Sequence, residues 1–269
     1  MAYCFNQMQQ MNFTILSAVI AMLITAVTVS AADTTVSATD SRVFEMRVYY
    51  SPEGKLPTLE GRFREHTTKL FAKHGIENIG YWVPTENKEN KLVYVLASPN
   101  RAARDKSWKS FMADPEWQAV MKETEKNGRI VSKVESYFMQ LTDYSPSPKA
   151  EVDPKGRVFE LRTYTATAGK LGDLNKRFRD HTVNLFQKHG MKNIAYWNLM
   201  SEQKNSDNKL IYIISHQSKA AAQASFDAFR KDPAWVSARA ASEKGGGSLT
   251  VDGGVLSEFL TATDYSAIK

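Results

Sequence analysis

Cysteine is almost absent from this sequence, and charge is absent from its N-terminal segment. Cys4 is the only cysteine in 269 residues, and residues 1–31 contain no Lys, Arg, Asp or Glu. An apolar run over residues 13–29 precedes the small side chains of Ser30 and Ala31, which is the pattern of a secretory signal peptide. We therefore predict a signal peptide at residues 1–31, a disordered polar leader at 32–42 and a secreted or periplasmic protein.

The alternative for this segment is an uncleaved membrane anchor. A membrane span prefers roughly 20 predominantly apolar residues, whereas this run is shorter and contains threonine and serine. Cleavage is therefore the favoured interpretation, and no membrane association is expected after it.

These absences exclude several kinds of site. A chain that loses Cys4 cannot use disulfides, thiol catalysis or thiolate metal ligands. The motif HExxH is absent, and no lysine follows the glycines at 245–247 in the spacing of a phosphate-binding loop. We predict no metal site. The net charge of +6 includes no basic run, so the expected partner is a small molecule or a protein and not nucleic acid.

The chain contains an internal duplication. RFREHT at 62–67 recurs as RFRDHT at 177–182, and residues 43–83 align with 158–198 without a gap, with 23 of 41 positions identical. Such a repeat indicates two copies of one structural unit. The Pro-containing segment 146–156 has the composition of a linker, so we predict domains at 43–145 and 157–266.

Each copy has the same predicted order of strands and helices. Residues 43–50 alternate apolar and polar side chains, as a strand does, and strands are also expected at 79–83, 92–98 and 130–141. Helical spacing begins near residue 58 and ends near Gly75, a glycine suited to a helix C-terminus. Further helical segments are expected over 101–112 and from Asp114 to about 127. The order is βαββαβ.

This order predicts an α+β fold. A βαββαβ unit builds an antiparallel sheet with both helices on one face, so its other face needs a cover. We therefore expect two tandem ferredoxin-like domains packed sheet to sheet as an intramolecular dimeric α/β barrel, with a shallow cavity where inward side chains fail to meet. Further association into a homo-oligomer is possible.

The repeated motifs resemble the NIPSNAP family over nearly all of 43–145 and 157–266. The motifs that carry the resemblance in the first copy are Glu45-x-Arg47-x-Tyr49, Gly54-Lys55, Lys73-His74-Gly75, Gly80-Tyr81-Trp82 and Asp114-Pro115-x-Trp117. The resemblance implies the dimeric α/β-barrel, ferredoxin-like fold but no settled enzymatic activity. Relatives by fold include cofactor-free monooxygenases and haem enzymes, which is an analogy only.

One face of the first strand in each copy is a candidate ligand-binding surface. It carries Arg47 and Tyr49 in the first copy, and Arg162 and Tyr164 in the second. If this face points into the barrel, the arginines could clamp an anionic ligand. The alternative, which we favour, is a structural Glu–Arg network across strands.

Two histidines and two tryptophans complete the candidate site residues. His66 and His181 are expected on the mainly apolar side of a helix, where an imidazole could act as a general base or a haem ligand, although most such histidines are simply hydrogen-bonded in a core. Trp82 and Trp197 could line an apolar pocket, but their strand positions favour the core.

From the sequence we expect a NIPSNAP-like protein that binds a small, partly apolar or anionic molecule or a protein partner, with no cofactor predicted. The alternatives are an enzyme of the cofactor-independent monooxygenase or haem-binding type, and a structural or interaction module.

Overall fold

The structure is a computed structural model that describes residues 40–269. The predicted signal peptide and the leader up to residue 39 lie outside the described residues. The first repeat contains β1 (Val43–Tyr50), α1 (Leu56–Arg62), a π-helical turn (Phe63–Thr67), α2 (Thr68–Lys73), β2 (Glu77–Pro84), β3 (Lys91–Ser98), α3 (Arg101–Ala113), α4 (Pro115–Thr124) and β4 (Lys133–Leu141).

The second repeat has the same order of elements, as its sequence predicts. Its elements are β5 (Val158–Ala166), α5 (Leu171–Arg177), a second π-helical turn (Phe178–Thr182), α6 (Val183–Lys188), β6 (Lys192–Leu199), β7 (Lys209–His216), α7 (Lys219–Lys231), α8 (Pro233–Glu243) and β8 (Thr250–Ala262). The predicted helix boundary at Asp114 is confirmed, because its side chain accepts a hydrogen bond from the Glu116 N–H and Pro115 begins α4.

The eight strands form one closed antiparallel barrel in the order β1-β3-β2-β8-β5-β7-β6-β4. The repeats join at two seams, where β2 pairs with β8 and β4 pairs with β6. Closure removes every sheet edge. The predicted intramolecular barrel is therefore confirmed, and the two repeats share one sheet.

Side chains alternate between the inside of the barrel and its outer face, because successive residues of a strand point to opposite faces. The interior is apolar and includes Phe44, Trp82, Phe159 and Trp197, each at most 1% exposed. The outer face of each half packs against its own helices in a second aromatic core, centred on Tyr94 in the first repeat and Tyr212 in the second. Residues 40–269 therefore form one shared core and two outer cores.

The end of each repeat docks on the other repeat. Asp143, which follows β4, pairs with Arg179 of the second repeat at 2.6 Å, and Asp264, which follows β8, pairs with Arg64 of the first repeat at 2.7 Å. The following Ser145 accepts a hydrogen bond from the Tyr196 N–H at 2.8 Å. The motif TDYS at 142–145 and 263–266 thus ties the two repeats together reciprocally.

One sequence-based detail needs correction. The predicted disordered leader extends to residue 42, but Arg42 bonds Asp40 and Ser147 and pairs with Glu77 at 2.6 Å; its guanidinium anchors this short segment to β2. Within the segment 146–156, which the sequence predicts as a linker, Glu151 forms a β-bridge with Ile268.

Candidate functional site

Two cavities lie at equivalent positions between the sheet and the helices, one in each repeat. Each has a volume of about 290 Å³. All ten residues that line the cavity of the first repeat have their repeat equivalents in the lining of the second. In the first repeat they are Arg47, Tyr49, Arg62, Phe63, Thr67, Phe71, Trp108, Phe111, Met112 and Trp117. We call these two the sheet–helix cavities.

The face that carries Arg47 and Tyr49 points at the helices and not into the barrel. Phe44, Met46 and Val48, which alternate with it on β1, belong to the barrel core, so the polar face must lie on the outside. Four of the six predicted ligand-binding residues, Arg47, Tyr49, Arg162 and Tyr164, nevertheless line a cavity. The hypothesis that this face points into the barrel is therefore wrong.

A buried ion-pair network holds Arg47 in place. Its Nη1 donates to Glu45 at 2.5 Å, and Arg104 donates to both oxygens of the same carboxylate at 2.7 and 2.8 Å. The Ser136 hydroxyl adds a bond at 2.6 Å. Because Glu45 is only 2% exposed, this network fixes the arginine on the outer face of β1. Its Glu–Arg bonds run along β1 and to α3, and not between strands as the favoured structural interpretation expected.

The second repeat builds the equivalent network from different residues. Arg162 donates to Glu160, whose carboxylate also bonds His216 at 2.9 Å and the Ser257 hydroxyl at 2.5 Å. Ala222 occupies the position that corresponds to Arg104. A buried histidine thus takes the place of a second arginine beside the carboxylate.

The pKa values of these groups keep them charged near neutral pH. Burial alone would raise the pKa of Glu45, but hydrogen bonding to Arg104 and the charge of Arg47 hold it below its ordinary value. Burial alone would lower the pKa of Arg47, but Tyr94, Tyr49 and Glu45 raise it. The cavity wall therefore presents a permanent cation.

A second buried arginine lines each cavity. Arg62 pairs with Glu125 at 2.9 Å and lies 5.1 Å from the centre of the Trp117 ring. Arg177 makes the same ion pair with Glu243, also at 2.9 Å. These arginines are absent from the candidate residues predicted from the sequence, although Arg62 lies in the repeated RFR motif and Trp117 in the repeated Asp-Pro-x-Trp motif.

Several buried donors in the cavity walls have no hydrogen-bond partner within residues 40–269. They are the Nε atoms of Arg47, Arg62, Arg162 and Arg177 and the indole Nε1 of Trp117. All of these atoms donate and none accepts. An unpaired buried donor is costly, and these nitrogens are enclosed within the cavity walls.

His66 and His181 do not line either sheet–helix cavity. The His66 side chain is 41% exposed and His181 is exposed, because each lies in a π-helical turn. A π-helical turn contains more residues than an α-helical turn. The residue that faces the core is therefore Thr67 in the first repeat and Thr182 in the second, each 1% exposed. Their expected place on the apolar side was wrong, and their catalytic role stays a prediction without geometric support.

Trp82 and Trp197 lie inside the barrel and fill it. Trp82 packs 5.7 Å from Phe159, and Trp197 packs 5.9 Å from Phe44, measured between ring centres. Neither lines a cavity described here, so the favoured core interpretation agrees with their positions.

A third cavity opens into the barrel itself. It has a volume of about 550 Å³ and lies where β1, β3, β5 and β7 reach one end of the barrel. Its walls come from both repeats, including Met46, Val48, Leu161 and Ile211. This barrel cavity agrees with the expected gap between inward side chains.

Within residues 40–269, acidic, histidine and cysteine side chains form no cluster of three or more suited to a metal ion. None of the helices described is both long and apolar enough to cross a bilayer.

Comparison with solved structures supports the class of fold. A candidate monooxygenase from Lactobacillus acidophilus NCFM is 13% identical with a TM-score of 0.53, covering 82% of this chain and 94% of that one. A candidate monooxygenase from Fusobacterium nucleatum is 8% identical with a TM-score of 0.56, covering 82% and 92%. An anthrone oxidase-like protein is 12% identical with a TM-score of 0.54, covering 86% and 96%. At these identities the likeness shows the fold alone.

The fold and the repeated cavities define an α/β barrel made of two ferredoxin-like halves in one chain. A search of curated proteins gave no match. The NIPSNAP family model matches residues 44–146 and 159–267, which is most of the chain. The chain therefore belongs to the NIPSNAP family, as its motifs suggested.

Proposed function

We propose that this protein binds a partly apolar small molecule carrying a carboxylate or a similar acceptor in each sheet–helix cavity. The observation that carries the proposal is the pair of cavities with ten equivalent wall residues, each lined by aromatic side chains and two largely buried arginines. A volume near 300 Å³ is at the lower end of the roughly 300–1,000 Å³ range of small-molecule sites.

The other wall residues favour an aromatic or aliphatic body on this ligand. Phe63, Phe71, Trp108 and Phe111 line the first cavity, and Arg47 lies 4.4 Å from the centre of the Trp108 ring. Aromatic rings contribute large apolar contact areas, while a guanidinium can bind a carboxylate through two parallel hydrogen bonds. The cavity is thus suited to a flat or slender organic anion.

A titration with 1-naphthoate, followed by isothermal calorimetry, tests this proposal. We expect two molecules per chain of the wild-type protein, and one in each of the variants Arg47→Met and Arg162→Met. Arg64→Met is the matched control, since it removes an arginine charge at an exposed ion pair with Asp264 outside the cavity. No uptake by the wild type, or two sites in both cavity variants, contradicts the proposal.

The second candidate function is a cofactor-independent oxygenase acting in the same cavities. The aromatic walls would hold an aromatic substrate, and the hydroxyl of Tyr49 lies 3.4 Å from Nη2 of Arg47, where it could orient an oxygen atom of that substrate. Oxygen consumption with an anthrone or hydroxynaphthalene substrate distinguishes this function from binding alone. Unchanged oxygen levels in the presence of a bound substrate favour simple binding.

Export is also part of the proposal, and it is supported by the apolar, uncharged N-terminal sequence and the single cysteine within it. N-terminal sequencing of the mature protein tests it. A mature chain starting near residue 32 supports export, whereas one that keeps Cys4 in the cytosolic fraction contradicts it.

A further inference from the structure

The barrel cavity is distinct from the sheet–helix cavities in its walls and its chemistry. One end of the barrel is filled by the large side chains Phe44, Phe159, Trp82 and Trp197. Toward the other end, the inward positions of β1 and β5 carry Val48 and Thr163, which are too small to meet across the barrel. The result is a pocket with an apolar floor and a polar mouth.

The mouth carries three lysines and two glutamates from both repeats. They are Lys91, Lys204, Lys209, Glu135 and Glu258. Both glutamates are already paired, Glu135 with Lys133 and Glu258 with Lys91, each at 2.6 Å. The carboxylates of the mouth are thus neutralised by lysines other than Lys209.

Lys91 and Lys209 are equivalent, since each begins the third strand of its repeat. Tyr137 of β4 pairs with Met46 of β1, and Glu258 of β8 pairs with Leu161 of β5. Since Met46 and Leu161 are equivalent in the two repeats, Tyr137 and Glu258 are equivalent as well. Lys91 therefore pairs with a carboxylate, whereas the equivalent position on β4 carries a phenol, whose hydroxyl donates to Glu135 at 3.1 Å. Burial and the charge of Glu135 raise the pKa of Tyr137 to about 12, so this phenol is neutral near pH 7.

Lys209 consequently has no ion pair within the part of the chain described. Its ammonium group donates to the hydroxyl of Thr165 at 2.6 Å, which uses one of its three donors. A cation at the rim of an apolar pocket is complementary to a molecule that has an anionic head and an apolar tail.

We propose that the barrel cavity binds an amphipathic carboxylate, a fatty acid or a related compound, with its head on Lys209 and its tail against Leu161, Val48 and Ile211. This site is additional to the sheet–helix cavities and is formed once per chain, because the mouth does not follow the symmetry of the repeats. Its volume of about 550 Å³ suits a ligand of this class.

Calorimetric titration of the full chain with dodecanoate and with 1-dodecanol tests this proposal. We expect one Lys209-dependent site per chain and tighter binding of dodecanoate than of the alcohol. The variant Lys209→Met should weaken dodecanoate binding about tenfold, the scale of one charge-assisted hydrogen bond, and should leave the alcohol unaffected. Lys109→Met, which removes an exposed lysine on α3, is the matched control.

A second variant places the ligand inside the barrel. Thr163→Phe fills the pocket and should abolish binding of both dodecanoate and 1-dodecanol. If Thr163→Phe does not fold, the binding measurements on Lys209→Met still test the proposal. The proposal is overturned if dodecanoate does not bind, if it binds no better than 1-dodecanol, or if its affinity is the same in Lys209→Met. Two sites per chain that respond to Arg47→Met and Arg162→Met instead would assign dodecanoate to the sheet–helix cavities.

Discussion

Replacing Arg162 with methionine should destabilise the protein more than replacing Arg47, its equivalent in the first repeat. Both substitutions remove a cation from a buried carboxylate, since Glu45 is 2% and Glu160 is 1% exposed. The difference lies in what remains beside that carboxylate. Glu45 keeps two hydrogen bonds from Arg104, at 2.7 and 2.8 Å, whereas Glu160 keeps His216 and the Ser257 hydroxyl.

The magnitudes follow from these remaining partners. Leaving a buried charge without its counter-ion costs about 3–5 kcal/mol, which is the expected loss for Arg162→Met. Losing one charge-assisted hydrogen bond from a carboxylate that stays paired costs about 1.5–3 kcal/mol, which is the expected loss for Arg47→Met. Ring stacking does not explain this order, because Arg47 lies over Trp108 at 4.4 Å and Arg162 over the smaller Phe226 ring at 4.7 Å.

Urea denaturation of both variants at the same pH measures the two free energies of unfolding. A rescue variant adds His216→Ser and Ala222→Arg to Arg162→Met. These two substitutions copy Ser98 and Arg104, the equivalent residues of the first repeat. This triple variant should recover about 1–2 kcal/mol, the difference between the two single losses. Equal losses for both single variants, or a larger loss for Arg47→Met, would contradict this prediction.

Two further predictions concern the helices. Hydrogen bonds from Lys73 and His74 hold the pKa of Asp114 well below its ordinary value of 3.8. Lys188 and His189 lower the pKa of Asp232 in the same way. The two ionised carboxylates therefore stabilise the folded protein fully above pH 3.8, and this stabilisation is lost as the pH falls below 3.8. The melting temperature should drop over this range and drop less in the double variant Asp114→Asn, Asp232→Asn, whereas parallel curves would contradict the prediction. Thr67→Val should cost about 1–3 kcal/mol in urea denaturation, because the Thr67 hydroxyl donates to the buried carbonyl of Arg62 at 3.1 Å. An exposed control, Thr58→Val, should cost little, and equal losses for the two would contradict this assignment.

The fold could be predicted because its signals are local and occur twice. The alternation of apolar residues on β1 predicted a strand, Asp114-Pro115 predicted the start of a helix, and the duplication supplied the second sheet needed to cover the first. Closure into one barrel followed from the need to bury two apolar sheet faces. The pairing of the TDYS motifs with the opposite repeat was missed because it depends on contacts between residues 36 or more positions apart, such as Arg179 and Asp143.

The site was predicted less completely, and two physical reasons account for this. Period-two alternation shows that Arg47 and Met46 lie on opposite faces but not which face is inside, since both faces of this strand are buried. The position of His66 was extrapolated with a constant period of 3.6 residues, and the π-helical turn changes that period locally. Thr67 therefore replaces His66 in the cavity wall.

The sequence also could not show which charges at the barrel mouth would be paired. Lys91 and Lys209 look alike in the sequence, and only the register of β4 and β8 shows that Glu258, which pairs with Lys91, is replaced by Tyr137 at the equivalent position. Differences between the two repeats become informative once the strands are aligned in three dimensions.

A native mass spectrum of the protein, purified gently from the cells that produce it naturally, is the most direct test of whether it binds a small molecule. We expect monomers with one or more additional masses of small organic acids, and loss of part of that mass in the double variant Arg47→Met, Arg162→Met. A bare chain mass under conditions that preserve non-covalent complexes would contradict it and would favour a packed scaffold that acts through its surface.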